Sequence, residues 1–124
     1  MTRYLLDTHI VLWWLFDDQQ LDQRYRDLLA NPTNHIVIST VTIWEIVIKQ
    51  VLGKLTAPDN LKEILYENEF EILAILPDHV FYLKQLPILH KDPFDRLLIS
   101  QAICENLTLV TVDTIIPKYK VTCL

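Results

Sequence analysis

The fold is constrained most by an alternation of short strand-like segments with longer helical segments along the whole chain. Apolar or β-branched runs predict strands at residues 4–6, 36–38, 70–73, 107–112 and 120–123. Helices are predicted at residues 9–16, 18–30, 40–52, 58–66, 78–86 and 93–106. Because a parallel strand returns only through a long crossover, this order predicts an α/β fold with a central, mainly parallel sheet.

Several helix ends carry their own signals. Asp7 and Thr8 can cap the first helix, and this cap favours a helix where the apolar run that follows fits a buried strand equally well. Ser39 or Thr40 can cap the third helix, which Gly53 ends. These signals predict which side chains lie where a strand gives way to a helix.

Residue counts argue against two classes of site. Gly53 is the only glycine, whereas a Walker loop or a GxGxxG dinucleotide turn needs several glycines at fixed spacing. Cys104 and Cys123 lack CxxC spacing and a nearby histidine pair, which argues against zinc. We interpret both cysteines as reduced, apolar fillers.

Length and hydrophobicity predict a single domain over residues 1–124. With 51% apolar and 22% charged residues, the chain can bury a core, and disorder is not expected. No apolar run approaches the roughly 20 residues of a membrane-spanning helix, and Asp7 comes too early for the apolar part of a signal peptide. We therefore expect a cytoplasmic protein with no membrane partner.

The net charge of −5 argues at first against a nucleic-acid partner, because such binding generally needs a basic surface. If four acids converge on a cation, the rest of the chain carries only −1. A divalent cation also reverses the sign of the local field where a phosphate must lie. The charge therefore permits an RNA substrate without predicting one.

Four acids can meet at one edge of the predicted sheet. Asp7 and Asp113 follow predicted strands, while Glu45 and Asp95 lie in the first turns of helices at that edge. Sites in such sheets form beyond the carboxyl ends of the strands. Hard cations such as Mg²⁺ prefer carboxylate oxygens, and they can activate water and neutralise a scissile phosphate without a protein nucleophile.

Each acid also has a structural alternative. Asp7 can simply cap a helix, and Asp113 can form a turn. Glu45 can form a salt bridge with Lys49 one helical turn later, and the sequence supports this pair and a metal ligand equally.

The segment around the third acid has similar alternatives. Asp92 followed by Pro93 is the predicted N-cap of the last helix. Asp95 can stabilise the positive end of that helix or point over the sheet edge. Arg96 can contact a phosphate or pair with a neighbouring acid.

Taken in order, these motifs resemble the PIN-domain family, specifically the VapC-type toxins of bacterial toxin–antitoxin pairs. The resemblance covers nearly the whole chain. It rests on Leu5-Leu6-Asp7-Thr8-His9, Trp44-Glu45-Ile46 with Lys49, Leu52-Gly53-Lys54-Leu55, Leu86-Pro87, His90, Asp92-Pro93-Phe94-Asp95-Arg96-Leu97-Leu98-Ile99 and Thr111-Val112-Asp113. It implies a three-layer α/β/α, Rossmann-like PIN fold and RNA cleavage that depends on Mg²⁺, with Mn²⁺ as a possible substitute.

The resemblance also implies roles for individual residues. Asp7 and Asp95 would be the principal metal ligands, with Glu45 and Asp113 completing the shell directly or through water. The residues that would hydrogen-bond ligands or waters from outside that shell are Thr8 and Thr111, with Asp92 as a cap first and a ligand second. The family further implies a small VapB-like antitoxin and a homodimer.

Two rival functions remain open at this level. A receiver-like phosphoacceptor domain would have an acid pair on its first strand, but Asp7 has no acidic neighbour, and Lys118 and Lys120 are misplaced for such a site. A non-catalytic PIN-like module that binds RNA or protein is the second rival, and the intact acids argue against it.

Overall fold

The computed structural model describes residues 2–56 and 59–124. Its central sheet has four strands in the order β3-β2-β1-β4, and all three pairings are parallel. The strands are β1 (Arg3–Leu6), β2 (His35–Ser39), β3 (Glu71–Leu73) and β4 (Thr108–Val110). The predicted α/β architecture with a parallel sheet is therefore confirmed.

Helices cover both faces of this sheet. They are α1 (Thr8–Leu15), α2 (Gln23–Ala30), α3 (Thr40–Val51), α4 (Leu61–Glu67), α5 (Pro77–Tyr82) and α6 (Pro93–Cys104), with 3₁₀ turns at Leu83–Gln85 and Ile116–Lys118. No helix in residues 2–56 and 59–124 is long and apolar enough to cross a membrane.

Alternate residues of the strands pack into two separate apolar cores. Leu5 and Leu109 pack in one core together with α6, while Leu6 and Val110 pack in the other together with α1, α2 and α4. Successive side chains of a strand point to opposite faces, so a strand covered on both sides is apolar throughout. The three-layer α/β/α arrangement follows from this burial.

The second predicted helix begins later than expected. Its first helical residue is Gln23, capped by the side chain of Asp22, rather than residue 18. Asp17 adopts a positive φ of 49°, and the carboxylate of Asp18 accepts the backbone N–H of Gln20. A side chain that bonds its own nearby backbone favours a turn over a helix, which explains the error.

The predicted strands near the carboxyl terminus are also shorter. β4 ends at Val110 rather than at residue 112, and the Thr111 hydroxyl accepts the Asp113 N–H at 3.0 Å. The strand predicted at residues 120–123 is reduced to one parallel bridge between Leu109 and Cys123. The hydrogen bond between the Thr111 side chain and the nearby Asp113 backbone competes with the sheet ladder at the end of β4.

The remaining boundaries agree within a few residues. Ser39 caps α3, and Gly53 follows that helix with a φ of +70°, as predicted. The helix predicted at residues 78–86 consists of α5 followed by a 3₁₀ turn. The helix predicted to start at Pro58 starts at Leu61, and Pro58 itself lies outside the described residues.

Candidate active site at the carboxyl edge of the sheet

Asp7 is the residue at which β1 gives way to α1. Its backbone N–H donates to the Val110 carbonyl at 2.9 Å, which holds it beside the end of β4. One carboxylate oxygen accepts the Thr8 N–H at 2.7 Å, and the other accepts the Thr111 hydroxyl at 2.8 Å. The residue is only 3% exposed. Asp7 therefore caps α1, as the structural alternative expected, and also faces the edge where β4 ends.

This burial changes the acidity of Asp7. Desolvation raises the pKa of the Asp7 carboxyl, and the negative charge of Glu45 raises it further. The hydrogen bonds from Thr111 and Thr8 and the ring of His9 act in the opposite direction, but the net pKa is above the ordinary value of 3.8. The carboxylate is thus held in place at an electrostatic cost.

Glu45 projects from α3 toward the same edge and is 6% exposed. Its Oε1 accepts the Thr8 hydroxyl at 2.7 Å, and its Oε2 accepts Lys49 Nζ at 2.9 Å. The salt bridge of the structural alternative is therefore present. Thr8 joins two acids from distant parts of the chain, because its N–H bonds Asp7 and its hydroxyl bonds Glu45.

Asp95 lies in the first turn of α6, where Asp92 is the helix cap. The Asp92 carboxylate accepts the N–H groups of Phe94 and Asp95 at 2.9 and 3.1 Å, so its predicted capping role is confirmed. Burial raises the pKa of Asp95 to about 7, and the negative charges of Asp7, Asp92 and Asp113 raise it as well. A hydrogen bond from His90 opposes this shift without cancelling it.

Asp113 lies beyond the end of β4 in a turn of its own. Its Oδ1 accepts the Ile115 N–H at 2.7 Å, and the residue is half-buried. The predicted turn is therefore present. Asp113 still acts on Asp95 through its charge, which places it at the same edge.

All four predicted acids thus lie at the carboxyl edge of the sheet. Thr8 links Asp7 and Glu45 through hydrogen bonds, and the negative charges of Asp7 and Asp113 act on Asp95. Within residues 2–56 and 59–124, no three His, Cys, Asp or Glu side chains form a group that could hold a metal ion. Magnesium rarely needs such a cage, because it keeps several waters and binds one or two carboxylates. Hard oxygen donors that are buried and repel one another fit a hydrated divalent cation.

Arg96 forms no ion pair with an acid in the described part of the chain, and its contact with a phosphate stays a prediction. Its guanidinium donates to the Pro87 carbonyl at 2.8 Å and to the Tyr119 hydroxyl at 3.2 Å. A longer contact of 3.5 Å reaches the Leu83 carbonyl. The guanidinium holds the loop before α6, and none of these contacts is evidence for phosphate binding.

The sequence reasoning gave no role to His90 and did not identify Tyr119. His90 Nε2 lies 3.2 Å from Asp95 Oδ2, and His90 Nδ1 lies 2.8 Å from the Tyr119 hydroxyl. A histidine five residues before a candidate ligand was a usable signal for His90. Tyr119 is 24 residues from Asp95, and no spacing in the sequence connects the two.

Comparisons with known proteins agree with this fold. The family model described as the PIN domain matches residues 4–121. Comparison with the curated proteins gives no match.

Solved structures share the fold at low sequence identity. VapBC2 from Rickettsia felis bound to a DNA fragment from their promoter has a TM-score of 0.76 at 24% identity, covering 99% of this chain and 98% of that chain. DNA-bound VapBC from Salmonella typhimurium has a TM-score of 0.73 at 17% identity, covering 100% and 98%. A toxin–antitoxin complex from Klebsiella pneumoniae has a TM-score of 0.61 at 21% identity, covering 90% and 87%.

Because the family model spans nearly the whole sequence and the sheet has the expected parallel order, this chain belongs to the PIN domain family.

Proposed function

We propose that this protein is a Mg²⁺-dependent endoribonuclease and the toxin of a type II, VapBC-like toxin–antitoxin system. In this proposal it forms a single domain over residues 1–124 and acts in the cytoplasm. One observation carries the proposal: buried carboxylates from three parts of the chain repel one another at the carboxyl edge of the sheet. Burial, together with the negative charges of neighbouring acids, raises the pKa of Asp95 to about 7. A site with this charge is completed by a cation.

In this proposal Asp7 and Asp95 hold the cation, and Glu45 and Asp113 complete its surroundings directly or through water. When bound, the cation would polarise the scissile phosphate and supply an activated water. The chain's own residues orient the ligands. Thr111 fixes one oxygen of Asp7 at 2.8 Å, and the Thr8 N–H fixes the other at 2.7 Å.

Two observations support protein partners for this chain: the assemblies formed by similar proteins and the exposed apolar side chains. The structures from Rickettsia felis and Salmonella typhimurium are VapBC complexes, which supports a VapB-like antitoxin for this chain. Large apolar side chains are exposed, among them Val51 at 80%, Leu52 at 60% and Ile88 at 78%. We propose that part of this surface is covered by the antitoxin or by a second copy in a homodimer.

The test uses purified, antitoxin-free protein and a panel of labelled transfer, ribosomal and messenger RNAs. We expect cleavage with Mg²⁺ or Mn²⁺ that stops when a chelator is added. Asp7→Asn and Asp95→Asn each remove one ligand charge and should abolish cleavage while the circular dichroism spectrum is unchanged.

Glu71→Gln is the matched control, because it removes a carboxylate charge at the opposite edge of the sheet, where Arg3 and His35 bind it. This variant should cut RNA like the parent chain. Metal-independent cleavage, or cleavage that survives Asp7→Asn and Asp95→Asn, would contradict the proposed site. Folded protein that binds RNA but never cuts it would favour the non-catalytic module.

A further inference from the structure

We infer that His90 and Tyr119 position Asp95 through a relay of hydrogen bonds that fixes one of its carboxylate oxygens and leaves the other for the cation. The inference rests on the proposed function, because the cation belongs to that proposal. His90 lies in the loop before α6, and Tyr119 follows the second 3₁₀ turn. The relay therefore joins two segments to the first turn of α6.

The three groups are close and shielded from water. His90 Nε2 lies 3.2 Å from Asp95 Oδ2, and these two side chains are 13% and 15% exposed. His90 Nδ1 lies 2.8 Å from the Tyr119 hydroxyl, and Tyr119 is 3% exposed. The two rings meet edge to face with their centroids 5.5 Å apart. This packing and the two side-chain contacts hold the imidazole between Asp95 and Tyr119.

The partners of the Tyr119 hydroxyl determine where its hydrogen points. Arg96 donates to it at 3.2 Å, and the backbone N–H groups of Leu89 and His90 donate at 3.3 Å. These three groups only donate, so Nδ1 of His90 is the one acceptor left among the four partners. The hydroxyl hydrogen therefore goes to Nδ1, and the ring hydrogen lies on Nε2.

That tautomer makes His90 a donor to Asp95. Nε2–H points at Oδ2, whereas Oδ1 accepts no hydrogen bond from the described part of the chain. A carboxylate held by one oxygen keeps its remaining lone pairs in a defined direction, which is how partners outside the ligand shell tune a metal site. A purely structural role for His90 predicts something else, namely that its contact with Tyr119 matters and its contact with Asp95 does not.

Two amide substitutions separate these roles. The amide nitrogen of glutamine reaches the position of Nε2, so His90→Gln keeps a donor to Asp95 and loses the contact with Tyr119. The asparagine amide ends near the position of Nδ1, so His90→Asn keeps the contact with Tyr119 and loses the donor. Tyr119→Phe keeps the ring packing and removes the hydroxyl that selects the tautomer.

The measurement is Mn²⁺ binding without RNA, by titration calorimetry and by the loss of the free-ion signal in electron paramagnetic resonance. We expect His90→Asn to weaken Mn²⁺ binding by about 10–100-fold, the usual effect of removing a partner of a metal ligand. His90→Gln should remain close to the parent, and Tyr119→Phe should lie between the two.

His35→Asn is the control at the opposite edge, where His35 Nε2 lies 2.7 Å from Glu71 Oε1. It should bind Mn²⁺ like the parent. Melting curves confirm that each variant is folded, and His90→Gln and Tyr119→Phe still decide the question if His90→Asn is unfolded.

The inference is overturned if His90→Asn binds Mn²⁺ like the parent, if His90→Gln loses as much affinity as His90→Asn, or if Tyr119→Phe has no effect. Its failure is distinct from that of the proposed function. A parent chain that binds Mn²⁺ but cuts no RNA refutes the ribonuclease and leaves the His90 result valid. A parent chain that binds no Mn²⁺ refutes both.

Discussion

Carboxylates at the two edges of the sheet have pKa values that are shifted in opposite directions. At the amino edge, Glu71 accepts Arg3 at 2.8 Å and His35 at 2.7 Å. Burial acts to raise the pKa of Glu71, but the hydrogen bond from His35 and the charge of Arg3 outweigh it, so the pKa is lowered. At the carboxyl edge, burial and neighbouring acids raise the pKa of Asp95 to about 7.

This difference supports the proposal that Glu71 has a structural role and that the carboxyl-edge acids bind a cation. At the amino edge the strands supply their own cationic partners, because the register pairs Arg3 of β1 with His35 of β2 and both side chains reach Glu71 of β3. At the carboxyl edge Lys49 donates to Glu45, whereas burial and the charges of neighbouring acids raise the pKa of Asp95. Carboxyl groups whose pKa stays raised despite their hydrogen bonds are candidates for a site that an external cation completes.

The amino edge has a cavity, but the Glu71 carboxylate that lines it is already bound within the chain. An open cavity of about 370 Å³ lies at the amino edge, lined by residues that include Pro32, His35, Glu69 and Glu71. Its carboxylate Glu71 is already satisfied by Arg3 and His35. An ion pair that is satisfied within the chain does not require a ligand.

The largest predicted effect concerns magnesium. At neutral pH, Mg²⁺ at 100 times its dissociation constant should stabilise the parent by about 2.7 kcal/mol, a rise of several degrees in melting temperature. The rise should disappear in Asp7→Asn and Asp95→Asn and persist in Glu71→Gln, as differential scanning calorimetry would show. An equal rise in melting temperature in all variants would contradict the proposal that the two edges differ in cation binding.

The second-largest effect should be on how the stability of the metal-free protein depends on pH. Because the folded pKa of Asp95 is about 7 and its ordinary value is 3.8, folding takes up a proton in that window. The stability that this adds is complete below about pH 3.8 and is lost as the pH rises to about 7. Asp95→Asn should flatten this part of the stability profile, measured by urea unfolding from pH 4 to 8 with a chelator present. An unchanged slope would contradict the shift.

The amino edge should show the reverse sign. The pKa of Glu71 is lowered from 4.5, so its contribution to stability is present above that value and is lost as the pH falls through the folded pKa. Glu71→Gln should cost about 1 kcal/mol at neutral pH, the upper range for partly exposed ion pairs. Below pH 4 the difference between parent and variant should shrink, and a constant difference would show that packing, not charge, is lost.

The smallest effect should come from Lys49, which offsets one acid at the carboxyl edge. Lys49→Gln removes an i,i+4 pair with Glu45 and should cost about 0.3–0.5 kcal/mol. Removing this positive charge should also strengthen Mg²⁺ binding slightly, because the site becomes more negative. Weaker binding in calorimetry would mean that Lys49 orients Glu45 for the cation rather than competing with it.

Much of the site could be predicted because its parts are local. Asp7 and Asp92 each sit before a helix, and each caps that helix as predicted. The pair of Glu45 and Lys49 follows from helical spacing. The second helix was predicted too long because the amphipathic stripe continued through residues whose side chains bond their own backbone, and a pattern of hydrophobicity does not register that competition.

The sequence alone determined the order of strands and helices, since helix caps and strand runs depend on neighbours a few residues apart. The parallel sheet and the edge where the predicted acids lie could be predicted from that order. Only the tertiary structure decided which groups compensate one another. Thr111 meets Asp7 across 104 positions, and Arg3 meets Glu71 across 68. Register and loop packing bring such pairs together, and hydrophobic periodicity does not encode them. Whether a carboxylate is neutralised or left for a cation is therefore a property of the folded chain.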